Sequence, residues 1–177
     1  MVDVVPFPSM EWMKEYCKAL NASKELEEAG KGWGVGWNGD FIFQVEGIPI
    51  DNIDVEAVMK AMSKDLAISL AEQMGQVSQQ GGTAYAHAKL KDGKCEGVGL
   101  LKSVDEVEVG FIMSGPYENW KKIVKGQLDP VRGLLSGQFK LKGDMSKIMK
   151  YVKGATIMAR ISATVKAEFF DEKFPKK

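Results

Sequence analysis

Apolar residues recur along this chain at two spacings, and the switches between them mark its elements. From Ser9, a suitable N-cap, Met10, Met13, Tyr16, Cys17 and Leu20 fall at helical spacing and predict a helix over about 10–20. A second, shorter helix from Ser23 runs to Gly30, a residue suited to a left-handed cap. Trp33 to Glu46 reads as strand, with Phe41, Phe43 and Val45 on one face. Asp54 to Val77 carries the clearest amphipathic helix: Val55, Val58, Met59, Met62, Leu66, Leu70 and Val77 fall within roughly a third of the helical wheel. Gln79-Gln80-Gly81-Gly82 then makes a loop. Thr83 to Lys91 and Lys94 to Leu101 alternate on either side of Asp92-Gly93, a hairpin turn signal. Val107 to Ser114 places Val107, Val109, Phe111 and Met113 on one face of a further strand.

The stretch Trp120 to Asp144 reads as one unit. A helical turn carries Trp120, Ile123 and Val124 on one side and Lys121, Lys122 and Lys125 on the other. Asp129-Pro130 starts a short helix, since an Asp side chain accepts from orphan amides and Pro suits the first helical position. Leu134 and Leu135 give that helix its apolar face, Ser136-Gly137 stops it, and Gln138 to Lys142 alternates as a half-buried strand. Gly143-Asp144 caps the next helix, Asp144 to Val152, which Gly154 separates from a last helix over Ala155 to about Glu168. The sum is an α+β fold over residues 1–177, one domain, with about five strands in a largely antiparallel sheet covered by helices.

The order Trp120, Gly126, Asp129-Pro130, Ser136-Gly137, then Phe139-Lys140-Leu141-Lys142-Gly143-Asp144 resembles the sterol carrier protein family. The resemblance implies a sheet whose apolar tunnel, closed by the C-terminal helices, binds and transfers a fatty acyl, sterol or isoprenoid lipid without covalent chemistry. On that resemblance Phe111, Met113, Phe139, Met145, Ile148, Met149, Val152 and Met158 are expected to line the tunnel. Phe111 and Met113 share a strand face by period two, and Met145, Ile148, Met149 and Val152 share a helix face by period 3.6. The helix over 54–77 is long for the family pattern and is expected to wall, cover or block the tunnel.

Composition changes this picture little. The chain is 45% hydrophobic and 27% charged, with a formal net charge of zero. Its ten methionines suit a site that re-packs around ligands of differing shape. The Ala84, Ala86 and Ala88 face leaves volume for a helix or a ligand. The zero charge divides into −8 over residues 1–114 and +8 over residues 115–177, so a transient contact with an anionic membrane surface is expected of the basic portion. Cys17 and Cys95 could pair but read rather as buried free thiols, which with the lack of any apolar run near the ~20 residues of a membrane span points to the cytoplasm. The first nine residues do not read as a signal peptide, nor Phe-Pro-Lys-Lys at the end as a peroxisomal address.

Candidate chemistry is thin. One histidine, His87, sits on the polar face of a strand and reads as solvated or hydrogen-bonded; it cannot complete a zinc-type ligand set. No Ser occupies a Gly-x-Ser-x-Gly elbow, and Gly32-Trp33-Gly34-Val35-Gly36 lacks the Lys-Ser/Thr pair of a phosphate loop. No catalytic residue, metal or cofactor is expected, and the charge balance gives no drive toward nucleic acid. The sequence leaves the oligomeric state open. Three readings stand: a lipid carrier, an interaction or dimerisation module of the same fold with a filled interior, and a hydrolase or transferase acting on a lipid-like substrate. A cavity of at least ~300 Å³ separates the first from the second.

Overall fold

The structure, a computed structural model, describes residues 5–177. Strands β1 (Phe41–Glu46), β2 (Ala84–Lys91), β3 (Lys94–Leu101), β4 (Phe111–Pro116) and β5 (Lys140–Lys142) form one sheet in the order β3-β2-β1-β4-β5. Within it only β1 and β4 run parallel; the other three pairings are antiparallel. Asp92-Gly93 closes the β2–β3 hairpin with φ of 54° and 78°, the left-handed pair that matches strand twist. A Cβ on Gly93 would also lie 2.7 Å from the Glu27 carbonyl oxygen, so this turn needs glycine twice over.

Helices α1 (Met10–Asn21), α2 (Lys24–Ala29), α3 (Val55–Ala61), α4 (Lys64–Gln79), α5 (Tyr117–Val124), α6 (Pro130–Leu135), α7 (Met145–Lys150), α8 (Val152–Ser162) and α9 (Phe170–Lys173) complete the fold. Ser9, Ser23, Asp54, Asp129 and Asp144 each accept backbone amides at a helix start, as their placement predicts. Phe41, Val45, Ala84, Ala86, Ala88, Leu90, Phe111 and Met113 project from one face of the sheet into the main core, where α1, α2, α5, α6 and α8 cover them. A smaller core gathers Ile53, Val58, Met62, Ala67 and Leu70 of the α3–α4 segment with Phe170 of α9.

The structure corrects several expectations. Residues 33–40 form turns rather than strand, because Gly32, Gly34 and Gly36 hold positive φ. Gly30 ends α2 with φ of −92°, not in the left-handed region. Residues 107–110 stay out of the sheet: pairing starts at Phe111, opposite Phe41 where β1 begins. The 54–77 helix is two helices, broken where Met62 (ψ 159°) and Ser63 (ψ 153°) turn extended and Ser63 starts α4. Gly154 lies inside α8, which ends at Ser162; the break falls instead at Tyr151.

Three side chains also differ. Cys17 and Cys95 are not free thiols. Helix α1 lies along β3 and brings their Cα atoms to 5.5 Å, within disulfide range, and the two are joined. A reducing compartment, inferred from free thiols, thereby loses its support. His87 is buried at 6% exposure on an interior strand of the sheet, in register with Ile42 of β1 and Gly99 of β3. Its burial pushes the imidazole below its ordinary pKa, against the pull of Asp40. Lys121 is not on a solvated face. It is buried, with its ammonium 2.7 Å from Asp171 and 2.8 Å from Glu172 at the start of α9.

Candidate functional site

A cavity of about 160 Å³ lies between the inner face of the sheet and the helices. Its floor is the period-two face of three strands: Phe41, Phe43 and Val45 of β1, Ala86 and Leu90 of β2, and Met113 of β4. The small Ala86 side chain is what opens space there. Helix α1 supplies Trp12, Met13 and Tyr16, and α5 supplies Trp120, Ile123 and Val124. The C-terminal side is built by Val131 and Leu134 of α6, Ile148 of α7, and Ala155, Met158 and Ala159 of α8. Gly154 of α8 faces α2, where a Cβ would make only an ordinary contact with the Ala29 carbonyl.

Most polar handles around the cavity are turned away from it. Tyr16 donates its hydroxyl to the Met158 carbonyl at 3.0 Å, and burial raises its pKa well above the ordinary phenol value. Trp33 Nε1 donates to the Gly39 carbonyl at 2.8 Å and Trp120 Nε1 to the Gln44 carbonyl at 3.1 Å. Ser162 donates to the Ala159 carbonyl at 2.6 Å. The one charged side chain along the lining, Lys94, is half exposed and pairs with Glu27 at 3.2 Å. Trp12 differs, its Nε1 buried without a hydrogen-bond partner. A lone indole N–H is a donor only and supplies neither base nor nucleophile. An alkyl chain or ring system in this space would meet almost nothing but carbon.

Of the sequence-predicted residues, Met113, Ile148 and Met158 line this cavity. Phe111 and Phe139 are fully buried in the surrounding core, and Met145 packs against it half-buried. Phe139 fills the gap between Gly115 and Gly133 and stacks edge-on against Trp120 at 4.8 Å. Met149 and Val152 sit at the protein surface, 45% and 39% exposed. Trp12, Tyr16, Trp120, Ile123 and Val131 line the cavity although the sequence reading assigns them no site role. Trp12 and Tyr16, one helical turn apart and stacked at 4.9 Å, form a stripe that helical spacing could have flagged.

A second, smaller cavity of about 50 Å³ lies beyond the first. It is bounded by Leu70, Met74 and Val77 of α4, by Ala84 and Leu100 of the sheet, and by Tyr117 and Phe170. The α4 helix thus walls this smaller space and does not line the larger one. Phe7 and Pro8 line both. Among the described residues, no helix is long and apolar enough to cross a membrane.

Comparison with known proteins agrees with this fold. A solution structure of a conserved hypothetical protein of Thermus thermophilus, named as a candidate sterol carrier protein, superposes with a TM-score of 0.65 at 18% identity, covering 90% of each chain. A crystal structure of sterol carrier protein 2 superposes with a TM-score of 0.60 at 20% identity, covering 88% of this chain and 95% of that one. No curated protein matches this chain in sequence. The sequence pattern of the SCP-2 sterol transfer family matches residues 52–155, from the turn before α3 into α8. The chain belongs to the SCP-2 sterol transfer family.

Proposed function

We propose that this protein binds an apolar lipid chain in the cavity between its sheet and helices, and that it does so without catalysis. The observation that carries the reading is the lining: Tyr16, Trp33, Trp120 and Ser162 all direct their polar atoms to backbone carbonyls, leaving hydrocarbon inward. An alkyl chain entering that space gains about 0.8 kcal/mol per buried methylene. Met113, Ile148 and Met158 are the predicted residues we assign to direct contact; Phe111, Phe139 and Met145 shape the wall behind them. Fatty acyl, sterol and isoprenoid ligands all present such hydrocarbon. Isothermal titration with a medium-chain fatty acid at several temperatures tests the reading. Binding with a negative heat-capacity change supports it, and no binding of any chain length removes it.

Delivery would use the surface of α7 and α8. Met149 and Val152 are exposed beside Lys150 and Lys153, both in solvent, so hydrocarbon and positive charge share one stretch of surface. That combination suits an anionic membrane surface, where lysines hold headgroups and apolar side chains enter the interface.

A second reading is favoured by the cavity's size. At about 160 Å³ it falls below the ~300 Å³ expected of a ligand pocket and is close to an engineered cavity that holds benzene. A module with a nearly filled interior, serving interaction or dimerisation, has this volume without any ligand. The same titration separates the two, since such a module binds no lipid.

A further inference from the structure

The two cavities lie along one face of the sheet and are divided by a single piece of chain. Leu90 and Ala86 of β2 line the larger and Ala84 of the same strand lines the smaller. From Leu90 to Ala84 the strand advances six residues, about 20 Å. Between the two spaces stand Phe7 and Pro8, which alone among the described residues line both. We infer that Phe7 sets the length of chain the protein accepts, by closing the larger cavity against the smaller one. The inference rests on the lipid-binding reading and adds to it what stops the far end of the bound chain, the Phe7 ring.

Phe7 is suited to this by how it is held. Its ring packs edge-on against Trp12 at 4.9 Å and against Phe169 at 6.2 Å, so it is 7% exposed while touching both spaces. The backbone that carries it is anchored by two hydrogen bonds to one residue. Phe7 N donates to the Glu168 carbonyl at 3.0 Å, and Glu168 N donates to the Val5 carbonyl at 2.8 Å. The partition is therefore a fixed side chain on a short bridged segment, not part of a helix or of the sheet. Removing the ring opens the larger space into the smaller one, whose lining by Ile48, Leu70, Met74 and Val77 is itself apolar.

The test is a chain-length series of saturated fatty acids titrated against the wild type, Phe7→Ala and Phe7→Leu. Each methylene that finds apolar space raises affinity about fourfold, and each one left in water adds nothing. The wild type should show that rise and then a plateau. Phe7→Ala should carry the rise on for several further carbons before its plateau, and Phe7→Leu for fewer. Circular dichroism and thermal melts identify any variant that fails to fold, and Phe7→Leu keeps most of the packing volume. A plateau at the same chain length in a folded Phe7→Leu and in the wild type would overturn the inference. So would a wild-type series with no plateau. Chains that bind but break at an unmoved length defeat this inference alone, whereas no chain binding at any length defeats the lipid-binding reading beneath it.

Discussion

At Lys121 one buried ammonium ties α5 to α9. Burial alone would lower its pKa, but hydrogen bonds to Asp171 and Glu172 outweigh burial and keep it raised. Those same contacts hold the Glu172 carboxyl below the ordinary range, with Lys125 adding to them. Tyr117 donates to the other oxygen of Asp171 at 2.8 Å. Replacing Lys121 by Met removes the cation shared by Glu118, Asp171 and Glu172 and leaves only Lys125 beside Glu172. We expect a loss of about 2–3 kcal/mol, below that of a fully buried pair because Glu172 is half exposed. Urea denaturation at neutral pH measures it. The Glu172 contribution is present above the ordinary carboxylate pKa and is lost as pH falls through the lowered one. The wild-type advantage over Lys121→Met should accordingly shrink in acid. Sequence pattern could not reveal this residue. On α5 it sits among lysines that read as a solvated face, and only the return of α9, far along the chain, buries it.

Among the elements, the starts and stops of the Trp120–Asp144 unit were legible because their signals are local, although Leu135 is exposed and β5 begins only at Lys140. Asp129-Pro130, Ser136-Gly137 and Asp144 act within one turn of themselves, and each stands where the chain predicts. What pattern could not supply was depth: Phe139 owes its burial to two glycines that come from different elements. A Cβ on Gly133 of α6 would lie 2.6 Å from the Phe139 ring. Gly133→Ala should cost about 1–3 kcal/mol by overpacking, although Ala is the better helix former. Pairing it with Phe139→Leu should recover part of that loss, and a double-mutant cycle of melting curves checks the coupling. The single helix expected over 54–77 fails for the converse reason. Its apolar stripe is continuous in projection, and nothing in a helical wheel shows that Met62 and Ser63 turn extended to fold α3 against α4. The disulfide could not be chosen over free thiols for a similar reason, since a separation of 78 residues does not say that α1 lies along β3.

Across the molecule, the division of charge along the chain becomes a question of surfaces. Arg160 meets the acidic half directly, pairing with Glu25 of α2 at 2.9 Å, whereas Lys121 and Lys125 pair with α9, whose acids the +8 balance already counts. Lys150 and Lys153 remain in solvent beside the exposed Met149 and Val152. Co-sedimentation should therefore be stronger with anionic vesicles than with neutral ones, and weaker as salt shortens the Debye length below about 10 Å. Lys150→Glu with Lys153→Glu should abolish it while leaving lipid affinity in solution unchanged. Equal, negligible sedimentation with both vesicle types would leave a holder of lipid with no docking face.

Lipid carriage requires that the space bounded by α1, α8 and the sheet is where a lipid chain goes. Met158 tests this most sharply, because it lines the cavity from α8 while its carbonyl takes the Tyr16 hydroxyl. Met158→Trp places a larger side chain in a space of about 160 Å³ and leaves that backbone hydrogen bond available. Titrate a fluorescent medium-chain fatty acid into the wild type and into Met158→Trp, with melting curves to show that both are folded. We predict saturable binding to the wild type and, on the scale of two or three methylenes lost from apolar contact, an affinity lowered at least about tenfold in the variant. Equal affinity in two folded proteins would place the lipid elsewhere, and no binding to either would leave the cavity a packing space.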